Sequence, residues 1–374
     1  MTKTTKITIG IIIVIIVIGG IWYEISKKPS EEVVKIGVIL PLTGKYISYG
    51  ERTAKGIDLA VEEVNKDEEI IQIIYENSEG DSTKGVTAAH RLIDVERVPV
   101  LITQLSGVSS AIAPIAQEKK VVLFGLTLTP GFTEIGDYIF RNRGDAVEEG
   151  KVIGEFALNH EYKKVAVLYK NNPTGIGEAE GFKEVFEKGG GEIVFFEAYE
   201  KGEKDFRTAL LKIKEANPEL IVASSRDKEL PLILKQALEL GLNQQFFSTQ
   251  GIDSESFLET AGSLAEGLIY TRAVVYEDSA EPAVQAALKA YRERYNENMN
   301  LYAADAYDVI KILGQVIKNG ARTSEEIKNA LMLVKDFPGV SGPITFNEVG
   351  DCPKEYKLFT VKNGEFVPYE EGSE

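Results

Sequence analysis

Few side chains in this sequence are of the kind that cleave or transfer bonds. The two histidines, His90 and His160, stand far apart in helical patterns, and neither belongs to an HExxH pair. No GxSxG occurs. Cys352 is the only cysteine, which excludes an internal disulfide and a cysteine-rich metal site. Hydrolytic or metal-dependent catalysis has neither a nucleophile–base pair nor a ligand set to stand on, and no cofactor is implied.

Two glycine-bearing stretches invite a phosphate reading, and both fail it. In "KIGVILPLTGKYISYGERTAKGIDLAVEEVN" (Lys35–Asn65), Gly44 and Gly50 are followed by Glu51 and Arg52, not by the Lys and hydroxyl of a GxxxxGK[ST] loop. Gly175, Gly177 and Gly181 form a GxGxxxG, one residue too long for a dinucleotide fingerprint, and Glu178 and Glu180 would repel a pyrophosphate. The first loop keeps other chemistry: Gly50 allows close approach, a helix start offers free N–H groups, and Tyr49 brings an aromatic face with a hydroxyl.

The elements that position these residues alternate regularly. "KIGVIL" precedes a helix whose Ala54, Ile57, Ala60, Val61 and Val64 share a face at a 3.6 period. "IIQIIY" precedes a helix over 83–95, "VPVLITQ" one over 109–118, and "VVLFG" a loop. Runs apolar without alternation are strands covered on both faces of a parallel sheet, with the helices as crossovers. The grammar restarts with "KKVAVLY", "EIVFFEAY", "LIVAS" and "QQFFSTQ", so the fold class is α/β with two βαβ-built halves. Long helices and the strands "GPITFN" and "EYKLFTVKNG" close the chain.

Ligands of open α/β sheets sit beyond the carboxyl ends of the strands, and two facing halves make a cleft. The residues at those ends are Tyr49, Leu105, Ser106 and Gly125-Leu126-Thr127-Leu128-Thr129-Pro130 in the first half, and Thr174, Arg226 and Gln250 in the second. Hydroxyls, an amide, a guanidinium and aromatic surface are the means of reversible binding, not of covalent chemistry.

The charge balance, 58 acidic against 42 basic side chains for a net −16, disfavours nucleic acid and anionic lipid as partners. The N-terminus departs from the rest. Lys3 and Lys6 precede an apolar run over 7–23. At ~1.5 Å per residue that run spans roughly 26 Å, near the lower limit for crossing a bilayer. No small-x-small cleavage site follows it, so an uncleaved anchor is expected over the alternative of a cleaved signal segment, with 1–6 in the cytoplasm, 24–34 as linker and the remainder outside.

"IGVILPLTGKYISYGERTAKGIDLAVEEVN", "SGVSSAIAPIAQEKKVVLFGLTLTP", "AYEKGEKDFRTALLKIKEANPELIV" and "YAADAYDVIKIL" resemble the leucine/isoleucine/valine-binding family of type I periplasmic solute-binding proteins, over essentially all of 35–365. The resemblance implies two Rossmann-like lobes joined by three hinge crossings, closing on a ligand that is delivered to the permease of an ABC transporter; a monomer is expected. Lobe one would take 35–144 plus 276–320 and lobe two 145–275 plus 321–374, with crossings near Asn142–Ala146, Ala273–Tyr276 and Gly339–Pro343. Carried over residue by residue, the family's cleft aromatics fall on Tyr49 and Tyr302. Its carboxylate-gripping serine falls on Leu105, beside Ser106, and its head-group threonine on Leu128, between Thr127 and Thr129. The acid that meets an ammonium falls on Gln250, and two tyrosines fall on Thr174 and Arg226. Without that acid a buried ammonium would be uncompensated, unless Asp253 turns inward. An uncharged or anionic ligand is therefore expected, a departure from branched-chain amino acids toward carboxylates, amides or aromatic acids. The alternative is a ligand sensor of the same fold.

Overall fold

The computed structural model describes residues 33–226 and 228–370. The expected cytoplasmic segment, the anchor at 7–23 and nearly all of the linker lie outside the described residues. Among the described residues no helix is long and apolar enough to cross a membrane.

The first lobe runs β1 (Val34–Leu40), α1 (Ile47–Val64), β2 (Ile71–Asn77), α2 (Ser82–His90), β3 (Val100–Gln104), α3 (Ser106–Lys119), β4 (Val122–Leu126) and β5 (Ile139–Phe140). Its sheet is parallel throughout, in the order β2-β1-β3-β4-β5. β3 and β4 are buried along their whole length, as the unalternating runs require. Ile57, Ala60 and Val64 of α1 pack into the core, flanked by Ala54 and Val61, on the predicted stripe.

The second lobe continues with α4 (Ala146–Asn159), β6 (Lys164–Lys170), α5 (Pro173–Lys188), β7 (Glu192–Tyr199), α6 (Arg207–Ala216), β8 (Leu220–Ser224), α7 (Leu230–Glu239), β9 (Gln245–Ser248), α8 (Glu255–Ala261) and β10 (Ile269–Ala273). The GxGxxxG that failed as a nucleotide motif has a packing role. A Cβ on Gly181 would strike the Val147 carbonyl, and one on Gly150 the Glu178 carbonyl, so these glycines let α4 and α5 touch backbone to backbone.

The tail is α9 (Pro282–Tyr295), α10 (Leu301–Lys318), α11 (Ser324–Leu331), β11 (Phe337–Gly339), β12 (Gly342–Ile344), β13 (Tyr356–Lys362) and β14 (Glu365–Pro368). The second sheet has the order β14-β13-β10-β9-β8-β6-β7, in which β13 and β14 are antiparallel. Here the sequence expectation needs correction. Residues 321–350 were expected in lobe two, yet Ile327, Leu331, Val340, Ile344 and Phe346 join the core of lobe one. Ser324 also donates to the Pro99 carbonyl there. Asp308 of α10 accepts from the backbone of Val340 and Ser341 and from the Ser341 hydroxyl, pinning the β11–β12 hairpin to the first lobe. The third crossing is therefore between Cys352 and Tyr356, not at Gly339–Pro343. Only β13 and β14 shuttle across.

Arg141 ties two crossings together. It is 1% exposed, and its guanidinium grips Asp351 with both Nε and Nη2, Asp145 at 2.8 Å and the Thr129 carbonyl at 2.7 Å. Burial works against the cation, but Asp351 and Asp145 more than offset it, and its pKa is raised. Replacing Arg141 by Met leaves two carboxylates facing each other at the seam. Denaturant unfolding is expected to show a loss of about 3–5 kcal/mol.

Candidate functional site

All ten residues singled out in the sequence line one cleft between the lobes: Tyr49, Leu105, Ser106, Leu126, Thr127, Leu128, Thr174, Arg226, Gln250 and Tyr302. The cleft encloses about 650 Å³ outside atoms, part of it continuous with solvent. Its two walls differ. The lobe-one wall mixes apolar and hydroxyl side chains, whereas every lobe-two residue on it is polar or glycine.

On the lobe-one side Tyr49 and Tyr302 meet edge to face at 5.1 Å. Arg143, in the first crossing, lies 4.3 Å over the Tyr302 ring and is paired to Asp305 at 2.6 Å. α3 begins three residues earlier than its predicted start. Leu105 occupies its N-cap with a φ of 73°, and Ser106 opens the helix. The hydroxyl in the cleft is consequently that of Ser106; Leu105, where the resemblance put the serine, gives apolar surface. The threonine position corrects likewise. Leu128 is buried, while Thr127 donates to Ser106 at 2.9 Å and lies 2.8 Å from the Thr129 hydroxyl. This cluster beside a fourteen-residue helix's N-terminus is suited to a carboxylate. Ser106 also reaches Thr174 of the opposite lobe at 3.4 Å.

On the lobe-two side Asn172 caps α5 through Gly175 N at 2.8 Å and places Thr174 in its first turn. Lys170, at the end of β6, is paired to Glu229 at 2.7 Å. Ser224 ends β8 and Ser225 follows it; the first donates to Glu178, the second lies 2.7 Å from the Tyr199 hydroxyl. Gln250 is held from behind by Glu149 of α4, which accepts from its backbone N–H at 2.8 Å, from its Nε2 at 2.9 Å, and from Thr271 at 2.6 Å.

The resemblance left Gln250 where the family has an acid; the structure brings Glu178 to the cleft and places Glu149 behind Gln250. Burial pushes Glu178 up, reinforced by Glu149, to about 8, against the pull of Ser224, Arg226 and Thr249. Burial likewise raises Glu149, opposed by Thr271 and Gln250. Asp253 is not the substitute acid: it turns to Tyr270 at 3.2 Å and Arg272 at 3.6 Å. Sequence reasoning also missed Arg143, Lys170 and Ser224. The last two end strands, so the strand-end rule could have found them; Arg143 carries no such signal. His90 pairs with Asp94 and His160 with the Phe156 carbonyl, and neither lines the cleft. Among the described residues no cluster of His, Cys, Asp and Glu could hold a metal.

Two parallel-sheet lobes, joined by three crossings and sharing a hydrogen-bonding cleft, define a two-lobed solute-binding protein. The Periplasmic binding protein family model matches residues 33–365, and the chain belongs to that family. It is similar to Leu/Ile/Val-binding protein homolog 3 of Brucella melitensis, at 27% identity over 90% of this chain and 94% of that one. Among solved structures it resembles the leucine-binding protein LivK of Thermotoga maritima (29% identity, TM-score 0.83, 90% and 98% coverage). It also resembles LivJ of Streptococcus pneumoniae, solved with isoleucine (28%, 0.80, 90% and 98%). These are type I binding proteins of the branched-chain amino acid group, extracytoplasmic and not enzymes, and the chain shares their class.

The raised Glu178 pKa has a stability consequence. Between its ordinary 4.5 and about 8 the folded chain holds a proton that the unfolded chain has lost, so this group makes stability fall as pH rises through that window. Glu178→Gln is expected to flatten that slope in urea titrations made at several pH values, with the variant gaining relative to the parent at the alkaline end.

Proposed function

We propose that this protein is the substrate-binding component of an ABC transporter, capturing a small carboxylate-bearing solute between its lobes and presenting the closed form to a permease. The observation that carries the reading is a cleft whose hydrogen-bonding groups come from both lobes and meet at Ser106 and Thr174. Closure then gains contacts that the open form lacks. Ser106, Thr127 and Thr129 at the start of α3 take the carboxylate, and Tyr49 and Tyr302 cover the solute.

Relatives support a range of acids. The LivJ structure holds isoleucine, and a Rhodopseudomonas palustris solute-binding protein of the same fold holds 4-hydroxybenzoate (22% identity, TM-score 0.79). The lobe-two wall of this chain favours a solute whose far end is polar, because an aliphatic end would be buried against Lys170, Glu178 and Arg226. The run at 7–23 would tether the protein, as a monomer, outside the cytoplasmic membrane.

Mass spectrometry of solutes that co-purify, followed by calorimetry with each, tests the reading. X-ray scattering with and without the solute is expected to show a more compact closed form. Micromolar binding of leucine, isoleucine or valine would overturn the departure from aliphatic ligands. Ser106→Ala is expected to weaken a bound carboxylate about tenfold, the worth of one charge-assisted hydrogen bond.

A further inference from the structure

The end of the lobe-one sheet away from the cleft carries charge of the opposite sign to the chain's net −16. β1, β3 and β4 run parallel, and the cleft lies at their carboxyl ends. At their amino ends, roughly 17 Å away along the five residues of β3, is a depression lined by Lys35, Arg97, Lys119, Lys120 and Arg322. Among the described residues Glu96 is the one carboxylate in that lining. It pairs with Lys35 at 3.2 Å, and Asp94 pairs with Lys119 at 2.9 Å. Glu118 and Glu326 stand beside the depression, outside its lining. Arg97 and Lys120 have no carboxylate partner among the described residues.

Those two cations occupy backbone positions that do not suit them. Arg97 has a φ of 56° and Lys120 one of 53°, in the left-handed region that favours glycine or asparagine. A helix C-terminus favours a cation anywhere in its last turn, and Lys119 already supplies one to α3. That effect gives no reason for a second cation at the left-handed position. Val95, two residues before Arg97, is 71% exposed and adds an apolar side chain to the same loop.

The chain enters at this patch. Val33, the first described residue, lines the depression, ten residue steps beyond the end of the apolar run at 7–23. A connection of that length reaches at most roughly 35 Å, so a bilayer holding the run holds this pole close to its surface.

We propose that this pole of lobe one is a membrane-facing surface, on which Arg97, Lys120 and their neighbours engage anionic lipid headgroups while the cleft at the other end of the sheet faces away. This rests on the tethering reading above and goes beyond it: the tether sets proximity, and the patch sets orientation. The overall charge disfavours adhesion of the free protein to an anionic surface. Confinement by the tether brings the short-range attraction of one pole into play.

The test uses the full chain reconstituted into vesicles of phosphatidylcholine, alone or mixed with phosphatidylglycerol. Flotation with the vesicles reports the tether. The patch is read from the acylation rates of Lys35, Lys119 and Lys120 by a reagent that does not cross the bilayer, each divided by the rate at exposed Lys188 of lobe two. With phosphatidylglycerol these ratios are expected to fall at least about fivefold below their values in phosphatidylcholine or neutral detergent, the worth of one cation near a charged surface, and to recover at high salt. Arg97→Asn combined with Lys120→Asn suits the left-handed backbone and is expected to abolish the fall at Lys35 and Lys119; Arg97→Gly with Lys120→Gly serves as a second variant. Equal ratios in both lipids, or a fall that the variants retain, overturns the inference and leaves the tether standing. Slow acylation already in detergent overturns it as well and makes the chain's own Glu31 and Glu32 the occupant. Flotation with neither kind of vesicle overturns the tether and the inference together, while the solute-binding reading stands.

Discussion

The arrangement of this molecule depends on one buried cation. Arg141 lies where the chain first leaves lobe one, and its partners belong to three separate segments: Asp145 at the start of lobe two, Asp351 just before the last crossing, and the Thr129 carbonyl at the edge of the cleft. A guanidinium can do this because its donors form a rigid planar fork; a lysine would supply one point charge and no angular memory. Desolvating such a group is costly, and only simultaneous pairing offsets it. The ion cluster is consequently least costly when the two crossings stay in register, while the lobes beyond it are free to differ in angle. The adjacent Arg143–Asp305 pair extends this rigid seam to Tyr302 and so into the wall of the cleft.

From that seam outward the two walls follow different physics. Lobe one offers leucines, tyrosines and hydroxyls, a surface that covers a solute and holds one acidic end. Lobe two keeps charge buried: Lys170 with Glu229, Glu178 with Ser224, Glu149 with Gln250 and Thr271. Each of these groups is retained at a desolvation cost, and burial shows in the raised pKa of both glutamates. A wall required only to cover an aliphatic side chain would be more stable if it were apolar. Retention of so much polarity on one face points to recognition and not to stability.

Much of this was legible in the sequence, for reasons that particular residues make plain. Strands buried on both faces read as unbroken apolar runs, so "VPVLITQ" and "LIVAS" were visible, and all ten candidate residues fall on the cleft because ligand sites follow strand ends. What failed was local phase and long-range pairing. Ser106, Ser109 and Ser110 are all able to start a helix, and only the backbone, with Leu105 at positive φ, decides that α3 begins at Ser106. The hairpin at 337–344 carries no signal of its lobe, since the Asp308 contact that holds it is a tertiary one. Glu149 was invisible for the same reason: it is 101 residues from Gln250, and a glutamate in an amphipathic helix ordinarily faces water.

The tension between the two walls suggests how closure gains its selectivity. Groups on lobe one can engage a carboxylate before the lobes meet, because Ser106, Thr127 and Thr129 belong to one rigid helix start and its neighbouring loop. Such contacts favour the open and closed forms equally and shift no equilibrium. Contacts from lobe two exist only when the lobes approach, and they are made by polar groups that lose water in the process. A solute whose far end offers the polar lobe-two wall no hydrogen bonds would strip water from that wall without replacing it, so it could bind lobe one yet fail to draw lobe two over it. Discrimination in this fold then resides less in which acid first enters the cleft than in which one makes the closed state the lower in free energy.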